Sequence, residues 1–288
     1  QMQGIFPFET LREIAAAVDI PVCVAGGITS ETVVDAIANG ASVVIVGGSI
    51  TKSANAVEAT RQIRTALDTG EKVATQLYRR ATAETIRDIL AQVSAANVSD
   101  AMHRGGVAPG LHPIAPGMRC FGRAVTVRTA PGDWAKPVEA IDVAGPGDVL
   151  VIDVGGVTPA VWGELATNSA VNRKIAGVII DGAARDSGDI RKLDMPLFCR
   201  TTCPNAGEPK GFGEINASVH LNGVAVNPGD WILADDDGVV VIPQEHAVEI
   251  TNRAMDVLEK ENRIREEIQR GSTLSKVAEL LKWEKKYG

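Results

Sequence analysis

Residues 155–186 read GGVTPAVWGELATNSAVNRKIAGVIIDGAARD, and this stretch decides the fold that the sequence predicts. It starts with a glycine pair after the apolar segment VLVIDV and ends in a second apolar segment, VIID, followed by a charged pair. Thr158 and Pro159 are typical of a helix start, so we expect a helix to begin there. The order strand, helix, strand predicts an α/β protein with parallel strands.

Both predicted strands end at the same edge of their sheet, where open α/β folds bind ligands. Gly155 and Gly156 follow the first strand, and Arg185 and Asp186 follow the second. The free N–H groups in the first turn of the intervening helix suit an anion. Glu164 lies on this helix, with twenty residues between it and the charged pair, so we expect the three charged side chains to meet at the edge.

This combination of charges suits the formation of an enolate. A carboxylate can hold a hard divalent ion such as Mg²⁺, and an adjacent guanidinium can stabilise an oxyanion. The alternative is an ordinary structural ion pair at the end of a strand. The spacing alone leaves both interpretations open.

Three motifs within residues 85–250 resemble the RraA-like family: GGVTPAVWGELAT, GVIIDGAARD and VNPGDWILADDDGVVVIP. This family includes the class II 4-hydroxy-4-methyl-2-oxoglutarate aldolases, which also decarboxylate oxaloacetate, and the regulator of ribonuclease activity. The resemblance implies an RraA-like α/β/β swivelling-type domain and a divalent-metal-dependent C–C lyase that acts through a pyruvate enolate. It also implies a small 2-oxo acid substrate and a homotrimer or dimer of trimers.

The same resemblance implies a role for each residue at the edge. Arg185 would contact the pyruvyl oxygen and stabilise the enolate, and Asp186 would anchor Mg²⁺ or Mn²⁺, largely through waters. Glu164 fills an acidic position at which the well-studied aldolases carry Asp. The residues that match the substrate-carboxylate region are Gly155, Gly156 and the backbone around Trp162 to Leu165, including Gly163 and Leu165.

The first part of the chain has a β-α-β-α pattern with a glycine pair after each strand. Residues 20–28, IPVCVAGGI, predict a parallel strand buried on both faces, and ASVVIVGGSIT repeats the plan. Together with the intervening helix, these segments resemble the last two β-α units of 3-hexulose-6-phosphate synthase, a (β/α) barrel. The resemblance implies a phosphate site, although the glycines alone can equally make tight turns. Its residues would be Gly26, Gly27, Gly47 and Gly48.

We therefore expect an incomplete (β/α) barrel segment at residues 1–72, a linker at 73–84, and the RraA-like domain with its C-terminal helices at 85–288. The synthase carries its catalytic Asp and Lys residues on earlier strands, which this sequence does not contain. We expect a truncated barrel with a vestigial phosphate site. Fusions of the synthase to an RraA-like domain, in this order, also resemble the whole chain.

The composition excludes several classes of partner. The formal net charge is −7 and no basic block offsets it, so we expect neither nucleic-acid nor membrane binding. No apolar run reaches the roughly 18 residues of a membrane span, and no signal-peptide pattern is present. Four cysteines are few for 288 residues and are expected to be reduced. These features predict a soluble cytoplasmic protein.

Two functions compete with the lyase. One is a non-catalytic regulator of ribonuclease activity, which would not need the Arg-Asp pair. The other is 3-hexulose-6-phosphate synthase, if the full-length chain includes the missing barrel strands.

Some polar residues outside the predicted edge are given minor roles. Asp235 to Asp237 precede a glycine and predict a turn rather than a metal site. His103 is expected to be a polar residue near a helix end. Glu208 and Lys210 lie in a loop that could reach a neighbouring subunit.

Overall fold

The computed structural model describes residues 6, 8–53, 55–75 and 80–278. The chain divides into two compact units, residues 1–84 and 85–288. Residues 76–79 of the predicted linker and residues 279–288 of the predicted C-terminal helices lie outside the described residues.

The first unit alternates short strands and helices. Its elements are α1 (Phe8–Ala17), β1 (Cys23–Ala25), α2 (Val33–Ala38), β2 (Val43–Ile45), α3 (Gly48–Thr51) and α4 (Ala56–Thr69). β1 and β2 pair in parallel, with Ala25 opposite Ile45. Apolar residues of the helices, including Leu11, Val33 and Ile63, form a core with Ile28 on one side of this pair. The unit is a barrel-like segment, and its described strands do not close a barrel.

The other face of this strand pair is exposed, which corrects the expectation of burial on both faces. Val43 is 51% and Ile45 is 55% exposed. In a closed barrel the opposite strands cover this face, whereas here the described part of the unit supplies only two strands. The alternation of exposed and half-buried positions along β1 and β2 follows from this one-sided packing.

The second unit is a layered α/β structure with a mixed sheet. Its elements are α5 (Ile86–Leu90), α6 (Ala95–Ala101), β3 (Val107–Ala108), β4 (His112–Pro113), β5 (Cys120–Thr129), α7 (Ala135–Val143), β6 (Val149–Asp153), α8 (Glu164–Asn172), β7 (Gly177–Ala184), α9 (Ser187–Ile190), β8 (Leu197–Thr202), β9 (Gly213–Ile215), β10 (Val219–Leu221), β11 (Val224–Val226), β12 (Trp231–Asp235), β13 (Gly238–Ile242), a 3₁₀ turn (Gln244–His246), α10 (Ala247–Gln269) and α11 (Leu274–Val277).

The sheet has a parallel centre and antiparallel ends. Its strand order is β3-β13-β12-β5-β6-β7-β8-β4, and β9 pairs with β5. The strands β5 to β8 run parallel. Asp153, the last residue of β6, lies opposite Asp181 in β7. The long strand β5 joins the two parts, because its first half pairs with β12 and its second half with β6.

Three apolar clusters separate the layers. The first includes residues of α7, α8 and α9 packed on the parallel strands. The second fills the space between those strands, β12, β13 and the hairpin of β10 and β11. The third packs α5, α6 and α10 against β12 and β13. This is the α/β/β arrangement that the sequence predicted. Among the described residues, no helix is both long and apolar enough to cross a membrane.

The hairpin of β10 and β11 is attached to the parallel strands by two aspartates. The Asp153 carboxylate accepts the amide N–H of His220 at 3.0 Å, and the Asp181 carboxylate accepts that of Asn222 at 2.8 Å. Asp181 is buried, and its second carboxylate oxygen accepts a hydrogen bond from Arg200 Nε. A charge-assisted pair with a buried carboxylate therefore lies beneath the hairpin.

Candidate active site

The buried strand β7 ends by placing two charged residues outside the sheet. All eight of its residues are buried, and Arg185 follows immediately, with its amide donating to the Trp162 carbonyl at 2.9 Å. Asp186 adopts a left-handed conformation, with φ 57°, and begins α9. Aspartate tolerates this conformation better than most residues. The chain therefore turns sharply at the carboxyl edge of the sheet.

Glu164 meets this pair at the start of α8. Its amide N–H donates to Asp186 Oδ2 at 3.2 Å, and Arg185 Nε lies 3.5 Å from the same oxygen. The Glu164 carboxylate is held by the side-chain amide of Asn168. The Arg185 and Asp186 side chains are 43% and 40% exposed, so solvent screens their attraction and the pair contributes little to stability.

The start of α8 differs from the sequence prediction. The helix begins at Glu164 rather than at Thr158 and Pro159. Residues 160–162 instead pair with other segments, because Ala160 forms a parallel bridge to Ala206 and Trp162 forms one to Ala184. These partners are distant in sequence, so the local helix signals did not reveal them.

The first turn of α8 offers backbone donors at the same place. Among the described residues, the amide N–H groups of Leu165 and Ala166 have no hydrogen-bond partner. The positive end of the helix dipole lies there as well. A small carboxylate can bind these donors.

A cavity of about 660 Å³ connects these groups. Charged residues of its lining are Arg185 and the carboxylates of Glu164, Asp186 and Asp189. The remaining lining includes backbone or polar atoms of Gly163 and Ser169 and a group of apolar residues, namely Trp134, Val138, Ala160, Val161, Trp162, Leu165, Ala166 and Ala206. The cavity thus combines a charged part with an apolar part, which is typical of small-molecule sites.

The glycine pair after β6 is placed differently from the other predicted residues. Gly155 and Gly156 do not line this cavity. The Gly155 amide donates to the Asp153 carboxylate at 2.9 Å, and the Gly156 amide donates to the Asp181 carbonyl at 3.0 Å. Their N–H groups are therefore engaged within the protein, and the amides of Leu165 and Ala166 are the donors that remain for a ligand.

The sequence did not predict that Trp134 lines the cavity. Trp134 comes from the loop before α7, and its Nε1 donates to the Gly207 carbonyl at 3.0 Å. Asp133 is buried and accepts the amides of Ala135, Lys210 and Phe212 at 2.8–3.1 Å. The motif PGDW contains both residues, and its Pro-Gly-Asp turn signal is the one sequence feature that marks them.

The Asp133 carboxylate has a shifted pKa. Burial raises the pKa, but hydrogen bonds from the backbone N–H groups of Ala135 and of residues 210–212 outweigh it, and the pKa of Asp133 lies below its usual value. Asp133 therefore stays ionised at neutral pH and holds the 207–212 loop against the start of α7.

Gly163 provides a test of how the charged groups are placed. A Cβ at this position would lie 2.6 Å from Asp186 Oδ2 and 3.2 Å from Arg185 Cγ. We expect Gly163→Ala to leave the fold intact and to displace the Asp186 carboxylate, which lowers kcat/KM by about 10²-fold, since misplacement by 1 Å can cost this much. The matched control is Gly188→Ala, because a Cβ there meets no atom within 4 Å. Equal activity of the two variants would contradict this reading of the site.

The glycine pairs of the first unit lie at one end of its two strands. Gly26 and Gly27 follow β1 with φ values of 96° and 67°, and Gly47 and Gly48 follow β2. Since the strands are parallel and in register, both turns lie at the carboxyl edge. Ser49 Oγ joins them by donating to the Ile28 carbonyl at 2.5 Å.

The remaining polar residues have local roles. Asp235 accepts the amides of Ala95 and Asp237, and Asp236 accepts that of Gly117, as expected for a turn. His103 follows α6 with φ 56° and is exposed. The described residues contain no group of three or more His, Cys, Asp or Glu side chains that could hold a metal ion. Glu208 and Lys210 are exposed on the loop beside the cavity.

The fold and the site define an α/β protein with a small-molecule cavity at the carboxyl edge of its parallel strands. A family profile described as RraA-like, Aldolase/RraA, matches residues 95–241. This range covers about half of the chain and includes the cavity residues named above. The chain belongs to the Aldolase/RraA family, and the predicted resemblance is confirmed.

Two relatives are similar to this chain. An uncharacterised protein of Methanocaldococcus jannaschii is 41% identical over 198 residues, which are 67% of this chain and 93% of the relative. A protein of Halalkalibacterium halodurans, provisionally named 4-hydroxy-4-methyl-2-oxoglutarate aldolase, is 38% identical over 145 residues, which are 50% of this chain and 69% of the relative.

Two solved structures are similar to this chain. An uncharacterised protein from Pseudomonas syringae pv. tomato has 33% identity and a TM-score of 0.62, over 70% of this chain and 100% of that one. RraAS2 of Streptomyces coelicolor is described as an unusual member of the RNase ES inhibitor RraA protein family. It has 29% identity and a TM-score of 0.56, over 65% of this chain and 100% of that one.

A second family profile, described as a histidine biosynthesis protein, matches residues 7–115. It covers the first unit, in agreement with a barrel-like segment there. Residues 85–115 contribute α5, α6, β3 and β4 to the second unit, so the match crosses the boundary between the units. The specific resemblance to 3-hexulose-6-phosphate synthase, and a vestigial phosphate site at its glycines, stay predictions.

Proposed function

We propose that the second unit is a divalent-metal-dependent C–C lyase that forms pyruvate through its enolate, as in 4-hydroxy-4-methyl-2-oxoglutarate cleavage and oxaloacetate decarboxylation. The observation that carries the proposal is the meeting of Arg185, Asp186 and the free amides of α8 in one cavity. These groups can bind the carboxylate and the 2-oxo oxygen of a 2-oxo acid. The names of the relatives support this class of reaction.

The substrate would be oriented by its carboxylate. The amide N–H groups of Leu165 and Ala166 would bind this carboxylate, and the Arg185 guanidinium would face the neighbouring 2-oxo oxygen. As the C3–C4 bond breaks, negative charge develops on the 2-oxo oxygen. A fixed cation there stabilises the transition state more than the ground state.

Asp186 fits a role in holding Mg²⁺ or Mn²⁺. Within the described residues, its Oδ1 accepts no hydrogen bond, while Oδ2 is engaged by the Glu164 amide. One or two carboxylates suffice for Mg²⁺, which keeps several of its waters, so the absence of a larger acidic group among those residues is compatible with it. When bound, the ion supplies a Lewis acid that polarises the 2-oxo group.

Glu164 would accept the hydroxyl proton in retro-aldol cleavage. Its carboxylate lines the cavity and is oriented by Asn168, so it can accept the proton of a substrate C4 hydroxyl. Cleavage of the C3–C4 bond then leaves a carbonyl product and an enolate. A water near Asp186 would return a proton to C3 and complete pyruvate.

Assembly is part of the proposal. The Leu165 side chain is 79% exposed at the mouth of the cavity, and the side chain of Phe212 is exposed on the neighbouring loop. Contact with another copy would cover these apolar side chains. We propose a homotrimer or a dimer of trimers, which sedimentation of the protein would test.

The direct test is pyruvate release from oxaloacetate and from 4-hydroxy-4-methyl-2-oxoglutarate, with Mg²⁺ and with EDTA. We expect release that requires the metal. Release from neither substrate would contradict the proposal and favour a regulator that binds a ribonuclease, a class to which the description of the Streptomyces structure points.

Asp186 provides a second test, through the metal dependence of that activity. We expect Asp186→Asn to raise the Mg²⁺ concentration needed for half-maximal activity by about 10- to 100-fold, because the charged anchor is lost. Asp194→Asn is a matched control on the loop after α9, since Asp194 does not line the cavity. An unchanged Mg²⁺ requirement in Asp186→Asn would remove Asp186 from the metal site.

A further inference from the structure

We infer that the preferred aldol substrate is a 4-hydroxy-2-oxo acid whose fragment beyond C4 is apolar, best an aromatic ring, and that Trp134 selects it. This inference rests on the proposed function and names its substrate class. It differs from a preference for a dicarboxylate such as 4-hydroxy-4-methyl-2-oxoglutarate, whose distal fragment carries a second negative charge.

The charges around the cavity argue against a second carboxylate. Among the described lining residues, Arg185 is the one cation, and it faces the 2-oxo group in the proposed orientation. The other charged groups there are the carboxylates of Glu164, Asp186 and Asp189. Lys192 lies near the cavity, but its ammonium is paired with Asp189 at 2.7 Å. A distal carboxylate would therefore lose water without gaining a cation from the described lining of this protomer, because the exposed Lys210 lies on the neighbouring loop and does not line the cavity.

The apolar part of the lining argues for a hydrophobic fragment. Trp134 and Val138 come from the start of α7, and Leu165 comes from the start of α8. The charged groups after β7 and the apolar groups of α7 thus reach the cavity from different elements. A substrate bound at its carboxyl end by α8 and Arg185 has the apolar residues available for its other end.

The Trp134 ring is fixed before any substrate binds. Its Nε1 donates to the Gly207 carbonyl at 3.0 Å, and the loop that carries Gly207 is held by the Asp133 carboxylate. Trp134 is 37% exposed although it lines a cavity, so surface remains for a ligand to cover. An aromatic fragment can stack on such a surface with little loss of side-chain freedom.

The reaction balances without a further reagent. The C4 hydroxyl gives up its proton, the C3–C4 bond breaks, and its electron pair forms the enolate of pyruvate. The C4 fragment leaves as an aldehyde, and C3 takes up one proton. With 4-hydroxy-2-oxo-4-phenylbutanoate the products are benzaldehyde and pyruvate.

The experiment compares kcat/KM for pyruvate release from that phenyl substrate and from 4-hydroxy-4-methyl-2-oxoglutarate, using the whole chain with Mg²⁺. We expect the wild type to prefer the phenyl substrate by at least about 10-fold, within the range that one hydrophobic contact provides. Trp134→Ala should shift the ratio toward the dicarboxylate by about 10-fold or more. Trp134→Phe should retain most of the preference, which guards against a folding defect.

Val143→Ala is the control, because Val143 lies at the end of the same helix, is exposed and does not line the cavity. Its ratio should equal that of the wild type. A wild-type preference for the dicarboxylate, or a ratio that Trp134→Ala does not move, would overturn the inference. If oxaloacetate still yields pyruvate in that case, the proposed lyase stands. If neither oxaloacetate nor 4-hydroxy-4-methyl-2-oxoglutarate yields pyruvate, the lyase proposal fails as well.

Discussion

Replacing Arg185 with alanine should lower kcat for pyruvate release from oxaloacetate by about 10²- to 10³-fold, the usual cost of removing one oxyanion donor. Arg185 is the residue whose guanidinium faces the cavity beside Asp186. Its attraction to the enolate oxygen exists mainly in the transition state, so kcat should fall more than KM rises. The measurement is a continuous pyruvate assay at saturating Mg²⁺.

Two further variants make this result specific. Arg185→Lys keeps the positive charge but loses the planar fork of donors, so we expect an intermediate rate. Arg173→Ala removes the same charge at the other end of α8, where Arg173 donates to the Asp142 carbonyl outside the cavity. It should behave like the wild type. An Arg185→Ala enzyme within threefold of the wild-type kcat would exclude an enolate-stabilising role.

The largest effect on stability is expected at the pair that Arg200 forms with the buried Asp181. The Asp181 side chain is only 4% exposed, and it holds both Arg200 and the Asn222 amide of the hairpin. Arg200→Ala leaves this carboxylate without its cation, so we expect a loss of about 3–5 kcal/mol in the free energy of unfolding. Arg200→Ala with Asp181→Asn should recover part of it, because the double variant contains no unpaired charge.

Urea unfolding followed by tryptophan fluorescence measures this effect in the second unit. All four tryptophans of the chain lie after residue 84, so the signal does not come from the first unit. If the double variant is less stable than Arg200→Ala, the loss does not arise from an uncompensated carboxylate. If the free energy of unfolding of Arg200→Ala falls by less than about 1 kcal/mol, solvent screens the pair in the folded protein.

The sequence predicted those parts of the site that depend on local patterns. The apolar runs of β6 and β7 identified two parallel strands, and their ends placed Arg185 and Asp186 at one edge. The position of Glu164 on the connecting helix brought it to the same edge. Hydrophobic periodicity and chain direction suffice for such an inference.

The parts that were not predicted depend on contacts between distant segments. The segment before Glu164 is not helical because it forms bridges to Ala206 and Ala184, and these pairings override a strong local helix signal. The amides of Gly155 and Gly156 are engaged by Asp153 and Asp181. Trp134 reaches the cavity from thirty residues before Glu164 through its bond to Gly207. Nothing in the local sequence of these residues specifies such partners.

The main-chain conformation of the loop opposite Trp134 does not depend on which side chains the loop carries. Asp133 contacts only main-chain N–H groups there, and the side chains of Lys210 and Phe212 extend into solvent. Replacing those side chains therefore leaves the carboxylate's hydrogen bonds in place. Mutational libraries at positions 208, 210 and 212 should alter the surface of this loop without unfolding it, and natural sequence drift can act there in the same way.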